Sequence, residues 1–386
     1  MAAFLRRVIQ LSVIFAFALT TSAAFAAILP EDRADVLYHS YDGGGVTIAG
    51  PSVLVRKQLG SNVSVSGNYY VDSVTSASID VVTTASSYTE ERTEQSVSFD
   101  YLDDRTTLSG GFTNSEESDF SANTLHFSIT QEFFGALSTL TLGYAQGDDE
   151  VSRLDTKVGE VERQNFRLGF SQILTKNWIV NANLESITDE GFLNNPYRQV
   201  RFVDPSVPRG YSFQEEAYPN TRTSNALGVQ SLYYLEHRAS IKLGYRFFND
   251  DWDITGQSVD VGYLVPLDGG WVLDFRFRHY QQTKADFYSD LFPFQDAQNF
   301  LARDKELSTF SSNTIGFGFS YDLLESGWGF ADRGAVDVHI DFIDFQYDDF
   351  RDIRGTTNAS SPAETGSEPL YDFNATVLRA FISFWY

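Results

Sequence analysis

Histidine, acidic and hydroxyl side chains recur at two-residue spacing in short segments of this 386-residue chain. In DVHID, Asp337, His339 and Asp341 share one face of an extended segment, a pattern that could serve metal or acid–base chemistry. In LHFSI, His126 and Ser128 share a face and could supply a base and a nucleophile. Catalysis requires such groups to meet at hydrogen-bond distance, which spacing alone does not establish. We therefore favour polar lining residues of a lumen for both groups, and we predict no catalytic residue, no metal site and no cofactor.

Charged residues on several other segments follow the same spacing. In IKLGYRF and WVLDFRFRHY, one face is almost entirely apolar, and the other carries charged side chains, with a glycine in the first segment. If these segments enclose water, the charged face borders the pore. We predict these pore-lining residues: Lys242, Arg246, Asp274, Arg276, Arg278, Asp337, His339 and Asp341.

The elements that position these residues are strands, because a period of two is the side-chain period of a strand. A soluble sandwich would also alternate, with its apolar faces packed together. Here the polar face carries small and charged side chains, and the segments are about ten residues long. Both features instead favour a transmembrane barrel with lipid outside and water inside. The fold class predicted is all-β, a closed antiparallel barrel of about 16 strands.

The connections alternate between short and long, as expected for periplasmic turns and outer loops. Strands are predicted to begin near residues 45, 61, 92, 105, 121, 137, 161, 177, 223, 239, 253, 271, 306, 334 and 371, with DVLYHSY as the first strand. Long outer loops are predicted at 75–91, 114–121, 148–161, 188–222, 285–305 and 351–370. The phase slip at Phe342–Ile343 predicts a β-bulge.

Both termini indicate export. Arg6 and Arg7, an apolar run and the AFA segment ending at Ala26 are typical of a signal peptide, predicted as residues 1–26, with the barrel at 27–386. At the other end, Phe384 and Tyr386 lie on the apolar face of a closing strand. A terminal aromatic with apolar residues at alternate positions resembles the signal by which barrel-assembly machinery recognises outer-membrane proteins.

The composition narrows the partners. The chain has no cysteine, 15% aromatic residues and a formal charge of −24, which becomes −26 when the signal peptide with its two arginines is removed. Mean hydropathy is −0.23. Nucleic acid is excluded as a partner because its binding needs a basic surface. Acidic outer loops could meet divalent cations shared with lipopolysaccharide.

The 188–222 loop is the longest connection, with four prolines and with arginines between aromatic residues. This composition favours a fixed shape, because disordered loops are poor in aromatics. We predict that the loop folds inward or across the mouth as a constriction or recognition element. The alternative is that its arginines pair with acidic loops and only fasten it. The residues concerned are Tyr197, Arg198, Arg201, Arg209 and Tyr211.

The segments NPYRQVRFVD and PRGYSFQEEAYPNTRTSNA, and the LPEDRADVLYHSYDGGG start, resemble a family of bacterial outer-membrane barrels called domain of unknown function 3570. The resemblance implies the same fold and the outer membrane of a Gram-negative bacterium. It brings no established activity. It also suggests a periplasmic or flavin-related redox partner.

Two functions remain open from the sequence. The first is a porin-like channel for small solutes or ions, since about 16 strands enclose an aqueous path unless plugged. The second is a scaffold that anchors or sheathes a periplasmic redox or assembly partner without free diffusion. The membrane contacts expected are outer-membrane lipid and lipopolysaccharide, and the sequence does not predict the oligomeric state.

Overall fold

Sixteen antiparallel strands close into one barrel, which confirms the predicted fold class. The computed structural model describes residues 28–76, 88–154, 156–323, 329, 331–354 and 365–386. The expected signal peptide lies outside these residues. Within the described residues, no helix is long and apolar enough to cross a membrane.

The barrel strands follow the order in which the chain runs. They are β1 (Arg33–Gly43), β2 (Val46–Leu59), β3 (Val63–Ser76), β4 (Tyr88–Asp103), β5 (Thr106–Glu116), β6 (Phe120–Phe133), β7 (Ser138–Arg153), β8 (Thr156–Thr175), β9 (Trp178–Gly191), β12 (Thr221–Tyr234), β13 (Ser240–Asp250), β14 (Thr255–Pro266), β15 (Trp271–Gln282), β16 (Phe310–Asp322), β17 (Arg333–Arg351) and β18 (Leu370–Trp385). A separate hairpin, β10 (Gln199–Val203) with β11 (Tyr211–Glu215), lies in the connection from β9 to β12. Strand β18 closes the barrel by pairing with β1, where Val36 lies opposite Ile382.

Large apolar side chains cover the outward face. Phe275, Phe277, Phe317 and Phe319 on β15 and β16 are each 42–44% exposed. Such a continuous apolar band is unfavourable in water and typical of strands that contact lipid. Trp178 and Trp271 lie beside short turns, where an interfacial aromatic girdle is expected.

The predicted loops differ from the structure at the outer end of the barrel. Most of 148–161 is strand, because β7 and β8 continue to Arg153 and from Thr156. The predicted 114–121 loop shortens to residues 117–119, and the 188–222 loop to 192–220. A hairpin can extend beyond the bilayer because water forms hydrogen bonds with backbone groups at its edge. Lipid would leave the same groups unpaired.

The bulge predicted at Phe342–Ile343 is wrong. Strand β17 keeps its register there against both neighbours, with Phe342 opposite Ile315, and the irregularity lies further on, between Gln346 and Arg351. The inward face of β17 instead changes from polar to aromatic side chains along the strand. Phe345 and Tyr347 continue the inward face, where they pack into an apolar core.

That core lies inside the outer mouth. Loop 192–220, loop 283–309 and segment 365–369, together called the cap, fold over the mouth. The core unites the cap with barrel residues Val151 and Val161 of β7 and β8, and with Tyr347 and Tyr371 of β17 and β18. Strands β8 and β17 lie seven positions apart in the ring of sixteen, so the core spans nearly the full width of the barrel.

Candidate functional site

Arg201 is the centre of the cap. It lies on β10 and its side chain is fully buried. Its two Nη atoms donate to the carboxylate of Glu368 at 2.6 and 3.1 Å, and its Nε donates to the carbonyl of Asp290 at 2.9 Å. The Asp290 carboxylate also pairs with Arg201. A bidentate arginine–carboxylate pair is a strong and directional contact.

Arg303 extends this arrangement to the end of β17. Its Nε donates to the Asp290 carboxylate at 3.0 Å, and its Nη2 donates to the Arg351 carbonyl at 3.0 Å. The Arg201 cluster, defined as Arg201, Asp290, Arg303 and Glu368, therefore joins all three parts of the cap to the end of β17. Burial would raise the pKa of Glu368, but hydrogen bonds from Arg201 outweigh it and hold the pKa below its ordinary value.

A second buried group surrounds Arg198, which pairs with Asp304 and, at 3.3 Å, with Glu306. Burial would raise the pKa of Glu306, but Lys305 and Arg198 hold it below its ordinary value. Nearby, Glu216 accepts hydrogen bonds from the Tyr218 hydroxyl at 2.6 Å and the Arg303 amide at 2.7 Å. These contacts fasten the 192–220 loop to the 283–309 loop.

The remaining predicted loop residues lie around these clusters. The Tyr211 ring lies between the guanidinium groups of Arg201 and Arg209, at 5.3 and 5.2 Å. Arg209 donates from Nε to the Tyr211 carbonyl at 2.7 Å. Tyr197 lies 5.7 Å from the Arg153 guanidinium. The buried arginines Arg198 and Arg201 thus pair with acids of other loops, as the fastening alternative describes, while a role in recognition stays a prediction.

Below the cap, the inward face carries ion pairs between strands, and some of these pairs reach across an intervening strand. Glu185 of β9 accepts from Arg167 at 2.9 Å and from Arg246 at 3.3 Å. Arg278 of β15 lies 3.4 Å from Asp260 of β14. Lys242 of β13 also faces inward, beside Gly262 in the register.

A further network crosses β16 through two glycines. The Asp341 carboxylate lies 3.2 Å from Arg276 and 2.5 Å from Arg379. A Cβ at Gly316 would lie 2.2 Å from Asp341, and one at Gly318 would lie 2.2 Å from His339. The glycines therefore leave room for β17 side chains to lie across β16 and reach β15.

Asp274, His339 and Asp337 also have polar partners on the inward face. Asp274 lies 3.3 Å from Arg276, and His339 Nδ1 lies 3.2 Å from the same arginine. The Ser320 hydroxyl donates to Asp337. These contacts suit structural lining residues, and pore lining stays a prediction for all eight predicted positions.

His126 and His39 lie on the inward face of the barrel and have different neighbours. His126 packs against Gly111, and no hydrogen bond joins it to Ser128 within the described part of the chain. Sequence reasoning missed a buried group in which His39 Nε2 contacts Asp72 at 2.6 Å and the Tyr70 hydroxyl at 3.0 Å. Tyr70 and Asp72 are two residues apart on β3, which places both side chains on the inward face. This spacing could have predicted the group from the sequence.

An acidic cluster at the outer rim combines Glu90, Glu117 and Asp119, whose oxygens lie within 4.8 Å of one another. Glu90 accepts two hydrogen bonds from Ser118. Carboxylates often cluster on outer loops without an ion, and this group carries no assignment.

The C-terminal residues close the barrel. Phe384 lies opposite Ala34 of β1 and Gly334 of β17 in the register. The Tyr386 hydroxyl donates to the Arg56 carbonyl at 3.0 Å, and Lys57 Nζ lies 4.9 Å from the Tyr386 ring. Both aromatic residues are thus built into the strand closure, while their role as an assembly signal stays a prediction.

The fold and cap define a membrane-spanning β-barrel with a folded cap in its outer mouth. Residues 155–333 match the family model described as "Protein of unknown function (DUF3570)", which confirms the resemblance seen in the sequence. No curated protein matches the chain significantly.

Solved structures with a similar fold are outer-membrane proteins of low sequence identity. A bacterial polysaccharide outer membrane secretin is 6% identical, with a TM-score of 0.48, covering 92% of this chain and 99% of its own. OccK2 (OpdF) of Pseudomonas aeruginosa, solved in complex with glucuronate, is 12% identical with a TM-score of 0.42, covering 94% and 100%. OmpT of Vibrio cholerae is 11% identical with a TM-score of 0.41, covering 93% and 100%. At these values the likeness does not extend to function.

Proposed function

We propose that this protein is a channel for small polar solutes or ions in the outer membrane of a Gram-negative bacterium, and that the cap closes its outer mouth. The observation that carries the proposal is the combination of a wide, charge-lined lumen with a cap fastened by the Arg201 cluster. A barrel of sixteen strands is wide enough for an aqueous path. Passage then requires the cap to rearrange or be displaced.

The cap is held in the mouth by the apolar core and by buried ion pairs. It connects to the barrel by the ends of long loops, and Gly191 donates to the Asn220 carbonyl at 2.8 Å where the first loop leaves the wall. Its three parts meet through the Arg201 cluster, whose charges are buried. Removing one partner of a buried ion pair is strongly destabilising, so a single substitution can release the closed arrangement.

Conductance in planar bilayers tests this function. Because Gly191 and Asn220 are adjacent, residues 195–217 can be replaced by a short glycine–serine linker without straining the barrel. We expect the linker variant to conduct steadily and the intact protein to conduct far less. An assembled linker variant, identified by heat-modifiable gel mobility, that never conducts would contradict the channel.

The second candidate is the scaffold for a periplasmic redox or assembly partner, and the closed outer mouth favours it too. A scaffold needs no path through the cap. Capture of a periplasmic partner by the intact protein, together with absent conductance in the linker variant, would favour this candidate. Insertion by barrel-assembly machinery and contact with outer-membrane lipid and lipopolysaccharide are common to both proposals.

A further inference from the structure

The inward face of the barrel carries charges of both signs. From β3 to β6 they include the acidic residues Asp72, Glu94, Asp100 and Glu132, together with Arg92. From β8 to β18 the basic residues include Arg167, Lys242, Arg246, Arg276, Arg278 and Arg379, and the acidic residues include Glu185, Asp260, Asp274, Asp337 and Asp341.

The two signs of charge differ in how they meet the lumen. Glu185 and Asp341 each lie between two arginines, and their side chains are only 13% and 12% exposed. Arg167 and Arg278 are 50% and 44% exposed. Asp260, the partner of Arg278, is 38% exposed. A solute in the lumen therefore meets the Arg167 guanidinium more readily than the Glu185 carboxylate, and it can reach both Arg278 and Asp260.

Arg167 and Arg278 also share a geometry. Each is held to its carboxylate through Nε, at 2.9 Å for Glu185 and 3.4 Å for Asp260. The Arg278 Nη2 has one further long contact, 3.5 Å to the Ser258 hydroxyl. Among the residues that the structure describes, the Nη edges of both guanidinium groups are otherwise left for other acceptors. Such an edge binds a carboxylate or phosphate through two parallel hydrogen bonds.

We propose that the lumen selects small anions, carboxylates above all, and that Arg167 and Arg278 are the groups that bind them in transit. This inference rests on the proposed channel function and names its solute class. The preference opposes the overall charge of the protein, which is strongly negative. Selectivity in pores follows the charged side chains that line the path and not the distant surface.

Reversal potentials in a salt gradient test the inference in the linker variant, which lacks residues 195–217 of the cap. We expect chloride to permeate more readily than potassium. The lumen variant R167Q/R278Q should lower the chloride-to-potassium permeability ratio by about twofold or more, because lining charges set local ion concentrations. The preference should persist when acetate replaces chloride.

A matched control removes two exposed positive charges at the turn end of the strands, away from Arg167 and Arg278. Arg105 lies exposed in a short turn, and Arg333 is 55% exposed at the start of β17. R105Q/R333Q should leave the permeability ratio unchanged. Cation preference in the linker variant, or an equal ratio in both double variants, would overturn the proposed anion selectivity, and loss of the preference in acetate would overturn its carboxylate part. A linker variant without any conductance would instead contradict the channel function on which the inference rests.

Discussion

Arg201 and Glu368, 167 positions apart in the chain, form a bidentate ion pair in which both side chains have no solvent exposure. The pair joins the loop after β9 to the loop before β18. Between them lies Asp290 of a third loop, which also binds Arg201. The closed mouth therefore depends on charges that would be costly to leave unpaired.

Substitution of Glu368 tests this dependence. E368Q removes the negative partner of the buried Arg201, and we expect it to cost about 3–5 kcal/mol of cap stability. Hydrogen exchange of the amides of 199–215 measures the change. D352N is the matched control, because Asp352 pairs with the half-exposed Arg354 in the neighbouring segment. Equal exchange in the two variants would contradict a fastening role for Glu368.

Acidification should release the cap. The pKa of Glu368 is depressed by Arg201 and that of Glu306 by Lys305 and Arg198. Burial raises the pKa of Asp304 in the same group, and its protonation offsets part of the loss. A carboxyl group whose pKa is lowered by folding stabilises the fold above its unfolded pKa, and the contribution is lost as pH falls through the folded value. We expect the cap to hold from neutral pH down to about 4.3, the ordinary value for Glu, and to loosen below it.

Trp252 packs against Tyr218 and Phe287 in the cap core. Quenching of its fluorescence therefore measures the release of the cap. W252F identifies its share of the signal. A cap that is equally protected at pH 7 and pH 2.5 would show that these carboxylates do not hold it.

Arginine on the lipid face should destabilise the barrel. F275R or F317R places a charge in the apolar band, and near the bilayer midplane the cost is about 2–4 kcal/mol. G228R is the inward control, because a Cβ at Gly228 meets nothing within 4 Å. Gly318 is unsuitable as a control, since a side chain there would meet His339. Equal midpoints in a urea refolding titration would argue against lipid contact.

The closing strand should be required for assembly. F384A/Y386A removes the aromatic residues at the closure with β1 and the Tyr386 hydroxyl contact to Arg56. We expect a strong fall in outer-membrane level and degradation of the remainder. F381A is the control, because Phe381 lies on the same strand, β18, and its ring packs beside His339 of β17. We expect this variant to assemble more fully. Undiminished levels of heat-modifiable F384A/Y386A would exclude the proposed assembly signal.

The barrel was largely predictable because lipid imposes a strict pattern. Alternation on β15 and β16 follows directly from apolar residues facing lipid and polar residues facing the lumen. Where strands leave the bilayer, that constraint ends. The polar alternation of β7 and β8 therefore looked like a loop at 148–161, and the inward aromatic residues of β17 looked like a bulge.

The cap could be predicted only in part. Prolines and aromatic residues in the 188–222 loop indicated a fixed shape. The partners of its arginines were not predictable, because Asp290 and Glu368 are distant in sequence and lie in loops with many other acids. Only the folded arrangement separates these two carboxylates from those that remain in solvent.

Single-channel conductance of the linker variant lacking residues 195–217 decides whether the barrel is a channel closed by its cap. The intact protein is the reference, and the E368Q variant is an intermediate case. The account predicts little steady conductance for the intact protein, openings in E368Q that D352N does not show, and a steady open level in the linker variant. A correctly assembled linker variant that conducts no more than the intact protein would contradict the account.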